Sequence, residues 1–100
     1  MAKRIEQVNE LIKEVVARIL LREVQFPDGI LVTVTRVESS RDLHYADIFL
    51  TVFAPKAPRA EKDTLALLKK RVGGIQRSLN RGVRMRPVPR ISFRIDDEEA

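Results

Sequence analysis

The sequence predicts an α+β domain in which helices pack on one face of a small sheet. Three observations predict it. The N-terminal segment carries apolar residues at helical spacing, and a second helical segment lies further along. Three strand-like runs flank that second segment, two before it and one after, the first dense in β-branched residues and the others alternating between two faces. The 100 residues include 44% hydrophobic side chains, enough for one core and too few for two.

Ile5, Val8, Leu11, Ile12, Val15, Val16, Ile19 and Leu20 recur in steps of three and one, the mark of an amphipathic helix over about residues 3–22. Glu14 and Arg18 form an ordered four-apart pair on its wetter side. Phe26-Pro27-Asp28-Gly29 reads as a turn, with Pro fixing φ and Gly relieving the left-handed position. Residues 30–37 predict a strand, residues 39–43 a turn, and residues 45–53 a second strand antiparallel to the first. Along the second strand Ala46, Ile48, Leu50 and Val52 share one face, and Tyr45, Asp47, Phe49, Thr51 and Phe53 the other. The short loop 54–58 leads to a second helical region over about residues 60–81, marked by Leu65, Leu68, Val72, Ile75 and Leu79. Gly73-Gly74 falls in its middle, where two glycines cost about 1.6–2 kcal/mol relative to alanines, so a kink or a helix–turn–helix break is expected. The last strand is expected over residues 86–95, entered through Val88-Pro89, with Ile91, Phe93 and Ile95 inward. Val72, Ile75, Leu79, Ile91 and Phe93 are expected in the core. The acidic stretch 96–100 reads as a frayed, flexible tail.

Charge is distributed unevenly. Residues 1–50 hold seven basic and eight acidic side chains, residues 51–100 twelve basic and six acidic, for a formal net charge of +5. From Lys69 to Arg94 there are nine Lys/Arg (Lys69, Lys70, Arg71, Arg77, Arg81, Arg84, Arg86, Arg90, Arg94) and no acid. Such a one-sign segment, mostly arginine, suits the phosphates of a polyanion and above all nucleic acid, if it lies on a single exposed surface. The alternative is a solvated basic face that aids solubility. At 100° per residue Lys70, Gly74, Arg77 and Arg81 fall on one stripe, opposite the apolar residues. A glycine in that stripe either lets a sugar–phosphate backbone approach closely or merely ends one helix. Phe26, Tyr45, Phe49, Phe53 and Phe93 are the only aromatics. They read mostly as core residues, which speaks against recognition led by base stacking.

Several functions find no support. The sequence has no cysteine and one histidine, His44, placed where the hairpin loop enters the second strand. Thiol chemistry, a structural zinc site and a His-dependent catalytic constellation are therefore not expected. No glycine pattern for a nucleotide cofactor is present. No apolar run reaches the roughly 18–20 residues that span a bilayer, and the N-terminus turns amphipathic and acidic too early for a signal peptide. A soluble cytoplasmic non-enzyme without metal or cofactor is the expectation.

The succession helix–strand–strand–helix–Gly–helix–strand includes Asp42-Leu43 and Ala46 in the hairpin and ends in Arg86-x-x-Pro89-x-x-x-Phe93-x-x-Asp96. Thr33-Val34-Thr35-Arg36-Val37 lies in the first strand, and Arg4 and Val8 in the first helix. Together these resemble the bacterial ribosome-binding factor A family over nearly the whole chain. The resemblance implies a KH-like fold of type II, ordered helix–strand–strand–helix–kink–helix–strand. An Ala-x-Gly kink would replace the usual glycine loop. Here the positions read Arg71-Val72-Gly73, so Arg71 departs from the small residue, and Gln76 stands where the family commonly has Arg, with Arg77 adjacent.

The same resemblance implies binding of the free small ribosomal subunit, help in processing or folding 16S rRNA, and support of growth at low temperature. On this reading residues 1–95 form a single RNA-binding domain that acts as a monomer, without a small-molecule substrate or membrane contact. Lys69, Lys70, Arg71, Arg77, Arg81, Arg84 and Arg86 would contact phosphate, and Gly73 would set the shape. The competing expectations are a general KH-type module for single-stranded RNA and a protein–protein adaptor.

Overall fold

A computed structural model describes residues 2–97. In chain order it comprises α1 (Ala2–Glu23), β1 (Leu31–Ser39), β2 (Tyr45–Phe53), α2 (Ala60–Gly82) and β3 (Arg90–Ile95). The sheet order is β1-β2-β3, with β1 and β2 antiparallel and β2 and β3 parallel. A parallel pair needs a long crossover, and α2 supplies it.

Ile12, Val16, Ile19 and Leu20 of α1 are buried against Leu68, Ile75 and Leu79 of α2 and against Ala46, Ile48 and Leu50 of β2. Burial of each large aliphatic side chain contributes about 1.5–3 kcal/mol, which fixes the helix layer on this one face. The two helices approach closely where α2 ends: a Cβ on Gly82 would lie 3.1 Å from Val15 Cγ1. Asn9 Oδ1 accepts from the Ser39 amide (3.1 Å) and hydroxyl (2.5 Å), joining α1 to the end of β1.

The turn after α1 forms as its residues dictate, with Gly29 at φ 84° and the Ile30 amide donating to the Pro27 carbonyl. Strict alternation in β1 would put Val32, Val34 and Arg36 on the same face. The ladder instead shifts between Val34 and Arg36, so that Val34 opposes Leu50 and Val37 opposes Ile48. This bulge keeps both valines buried and turns Arg36 to the other face. In the hairpin turn the Ser40 hydroxyl and the His44 amide donate to Asp42 and hold its carboxyl below the ordinary carboxylate pKa. His44 is exposed beside Asp42 in that turn.

Four expectations are corrected. The second helical region is one α-helix of 23 residues, uninterrupted at Gly73-Gly74. Only a continuous helix keeps Leu68 aligned with Ile75 and Leu79, and their burial outweighs the glycine penalty. The final strand starts at Arg90 rather than 86, because Pro87 and Pro89 have no amide to donate to a ladder. Asp96 belongs to the fold and not to a tail: its amide donates to the Leu50 carbonyl (2.7 Å), and its carboxylate accepts from Thr35 Oγ1 (2.6 Å). Residues 98–100 of the expected tail lie outside the described residues. Of the five expected core residues, Ile75, Leu79 and Ile91 are buried, while Val72 and Phe93 are half-buried at the core's margin.

Candidate nucleic-acid interface

Helix α2 builds the basic surface because its apolar line consumes one side and leaves the cations on the other. Lys69, Lys70, Gly73, Arg77 and Arg81 are all exposed. Among the described residues none of these four cations pairs with a carboxylate; Arg81 makes only a long contact to Ser78 Oγ (3.4 Å). Cations without internal partners keep their full attraction for phosphate.

The Arg77 side chain leans back one turn over the two glycines. Cβ atoms built on Gly73 and Gly74 would lie 3.7 Å from its Nη1 and Nη2, ordinary contact distance. Room for Arg77 therefore does not require glycine there. What the glycines add is a strip of bare helix backbone beneath the guanidinium, open to close approach from outside.

Beside this strip runs a groove of about 480 Å³ between α2 and β3. Leu65, Ala66, Val72, Ile91 and Phe93 form its apolar lining, Ser92 also borders it while its hydroxyl donates to Asp47 (2.8 Å), and Lys62 and Lys69 are the charged residues on it. One helical turn beyond Val72, Gln76 reaches the start of β3. Its Nε2 donates to the Pro89 carbonyl (3.0 Å) and its Oε1 accepts from the Ile91 amide (2.9 Å), so it pairs with the edge of β3 as a neighbouring strand would. The groove thus offers an apolar floor and two ammonium groups.

The remaining expected residues are dispersed. Arg71 lies about 120° round the helix from Arg77, on the line of Ser78, whose hydroxyl donates to Glu23 of α1 (2.7 and 2.9 Å). Arg71 therefore projects from another side of α2 and does not join the stripe. Arg84 follows the helix and is exposed. Arg86 folds back on the end of α2: its Nη1 donates to the carbonyls of Val83 (3.0 Å) and Met85 (2.6 Å), its Nη2 to that of Asn80 (3.1 Å). Asn80 lies in the last turn of α2 and Val83 at its C-cap, where carbonyls lack helical partners, so Arg86 acts as a cap on the negative end of the helix and leaves the phosphate-facing set. Arg90 and Arg94 lie on β3, facing away from the helices. The acid-free segment does not form a single surface.

Lys62 was missed because Glu61 and Asp63 flank it in sequence. Its seven-residue spacing from Lys69, two helical turns, is the signal that places both on the groove. Arg18 and Arg22 of α1 join Arg81 around a smaller hollow of about 240 Å³ that also contains Glu23. Arg18 lies 3.8 Å from Glu14, the pair expected from the spacing. The aromatic expectation is corrected as well: Tyr45 and Phe53 are 59% and 66% exposed, since β2 turns its aliphatic face to the helices. Among the described residues no group of three His, Cys, Asp or Glu could hold a metal ion, and no helix is long and apolar enough to cross a membrane.

The three-stranded mixed sheet with both helices on one face and a basic α2 defines a KH-like α+β domain. A family model described as ribosome-binding factor A matches residues 4–100, and the chain belongs to that family. It is 38% identical to ribosome-binding factor A of Natranaerobius thermophilus over 94 residues, covering 94% of this chain and 70% of that protein. Ribosome-binding factor A of Protochlamydia amoebophila is 36% identical over 96 residues, covering 95% and 72%. The crystal structure of ribosome-binding factor A from Thermus thermophilus superposes with TM-score 0.73 at 26% identity, covering 89% of this chain and 92% of that one. A Thermus thermophilus ribosome-binding factor A model fitted into a cryo-EM map of its complex with the 30S subunit matches with TM-score 0.67 at 25% identity, covering 84% and 86%.

Proposed function

We propose that this chain binds the free 30S ribosomal subunit and assists maturation of its 16S rRNA, with α2 as the phosphate-binding face. The observation that carries the proposal is the group Lys69, Lys70 and Arg77, without a carboxylate partner among the described residues and set around bare backbone at Gly73 beside a lysine-rimmed groove. Membership of the ribosome-binding factor A family supports it, as does the 30S complex of the Thermus thermophilus relative. The mechanism requires no chemical step. A rigid domain that binds one rRNA conformation better than its competitors shifts the population toward that conformation until later assembly steps displace the factor. The need for such help is greatest where rRNA rearranges slowly, so loss of the protein should impair growth most at low temperature.

Co-sedimentation with purified 30S subunits and with assembled ribosomes tests the proposal. Binding should favour free subunits and fall as salt rises, with a log–log slope of roughly 0.7–0.9 per phosphate contact. Salt-independent binding, or equal binding to assembled ribosomes, overturns it.

A further inference from the structure

The cations of the acid-free segment that lie off α2 lead to the other side of the molecule. There β2 presents Tyr45 and Phe49, with Arg90 and Arg94 of β3 at the register positions beside them. Arg36 of β1 opposes Phe49 from the other flank, its guanidinium carbon 3.8 Å from the ring centroid. Glu38 and Asp96 hold Arg36, and Asp47 holds Arg94 at 3.4 Å. These carboxylates cancel much of the local charge, so this face is no general attractor of polyanions. What it offers is exposed ring surface and oriented guanidinium planes, the groups on which unpaired bases stack.

A second observation joins this face to the groove. Leu65 and Phe93, which line the groove between α2 and β3, also line a hollow of about 530 Å³ whose other walls are Arg36, Phe49, Arg94, Ile95 and Asp97. A strand held by Lys62 and Lys69 can pass over the edge of β3 to Phe49 within one continuous concave path. Tyr45 lies about 13 Å further along β2, four residues at strand rise, so the rings suit splayed bases rather than a stacked helix.

We propose that the open sheet face is a second RNA site, which takes an unpaired segment crossing the β3 edge and stacks its bases on Tyr45 and on the Arg36–Phe49 pair. This rests on the reading that α2 binds rRNA. A guanidinium at the flank of each ring suits an aromatic polyanion better than a dry protein surface, which would bury Arg90 with no carboxylate partner among the described residues.

The sequence contains one tyrosine and no tryptophan, so its near-ultraviolet emission reports Tyr45 alone. Titration with a short unstructured RNA of mixed sequence should quench that emission saturably. Tyr45→Ala, at an exposed position, should weaken binding of labelled RNA about fivefold to 150-fold, and Tyr45→Phe should restore it to within about twofold. Unquenched emission, wild-type affinity in Tyr45→Ala, or failure of Tyr45→Phe overturns the proposal. So does RNA-free self-association that Tyr45→Ala abolishes, which would give the face to a second copy. If reversing the α2 charges abolishes subunit binding while Tyr45 stays unquenched, this site fails and the α2 reading stands. Quenching together with α2-independent subunit binding supports this site and fails the α2 reading.

Discussion

The outward side of α2 and the open face of the sheet both carry basic residues, but under opposite conditions. On α2 Lys69, Lys70 and Arg77 have no carboxylate partner among the described residues and border bare backbone. On the sheet Arg36 is held by Glu38 and Asp96, and Arg94 by Asp47, with aromatic rings between them. A free cation contributes long-range, salt-screened attraction to any phosphate. A paired one contributes little net field, and what it retains is a fixed planar shape. Counting charge along the chain therefore measures the first property and overlooks the second.

Charge reversal on α2 should give the largest effect. Lys69→Glu, Lys70→Glu and Arg77→Glu together should weaken 30S binding on the order of 100-fold at moderate salt and flatten its salt dependence. The melting temperature should change little, since all three positions are exposed. An equal loss of affinity on replacing Arg36 and Arg94 by Gln would erase the contrast between the two faces. Arg86→Ala should behave in the opposite way, costing roughly 1–2 kcal/mol of stability by uncapping α2 while the salt slope of binding stays unchanged. Denaturant unfolding and salt titration of the same variant separate these outcomes.

The sequence made the helices legible because 3.6-residue periodicity survives any arrangement of neighbours, and β-branched density in the first strand and alternation in the other two located the sheet. Direction was harder to read. Along β2 one face is Ala46, Ile48, Leu50 and Val52, while the other carries Tyr45, Phe49 and Phe53. Alternation identifies two apolar faces without choosing which one meets the helices. The bulge in β1 moved Arg36 to the open face, which no period-two pattern expresses. Gly73-Gly74 read as a break because propensity is local, whereas the line from Leu68 to Leu79 is secured by tertiary packing. Of the expected interface, Lys69, Lys70, Gly73 and Arg77 come together because they lie within about two turns of one helix, whereas Arg81 borders the hollow beside α1. Arg71, Arg84 and Arg86 separate because helix rotation, chain exit and capping decide where each points.

Gly73→Ala sharpens the contrast from within α2. The added methyl would meet only Arg77 Nη1, at 3.7 Å, so it fits without strain. Replacing a mid-helix glycine should raise stability by about 1 kcal/mol, visible as a shift in the denaturation midpoint. If bare backbone there serves close approach by RNA, the same variant should bind 30S subunits more weakly although it folds better. Gain in both would make the glycine incidental to binding.

The smallest effect is expected from Asp47→Asn, which converts a paired cation into a free one. Asp47 accepts from Ser92 Oγ (2.8 Å) and lies 3.4 Å from Arg94 Nε. Asparagine keeps a side-chain oxygen for the serine and removes the charge that Arg94 faces. The ion pair is largely exposed, with side-chain accessibilities of 64% for Arg94 and 36% for Asp47, so stability should move by no more than about 1 kcal/mol. The released charge should steepen the salt dependence of RNA binding by up to roughly 0.7–0.9 in slope, the value for one added phosphate contact. A steeper slope would show that pairing with Asp47, rather than position on the sheet, keeps Arg94 out of the electrostatic binding. An unchanged slope would mean that RNA does not approach Arg94 at all, and the division of labour between α2 and the sheet would then be one of place and not of charge.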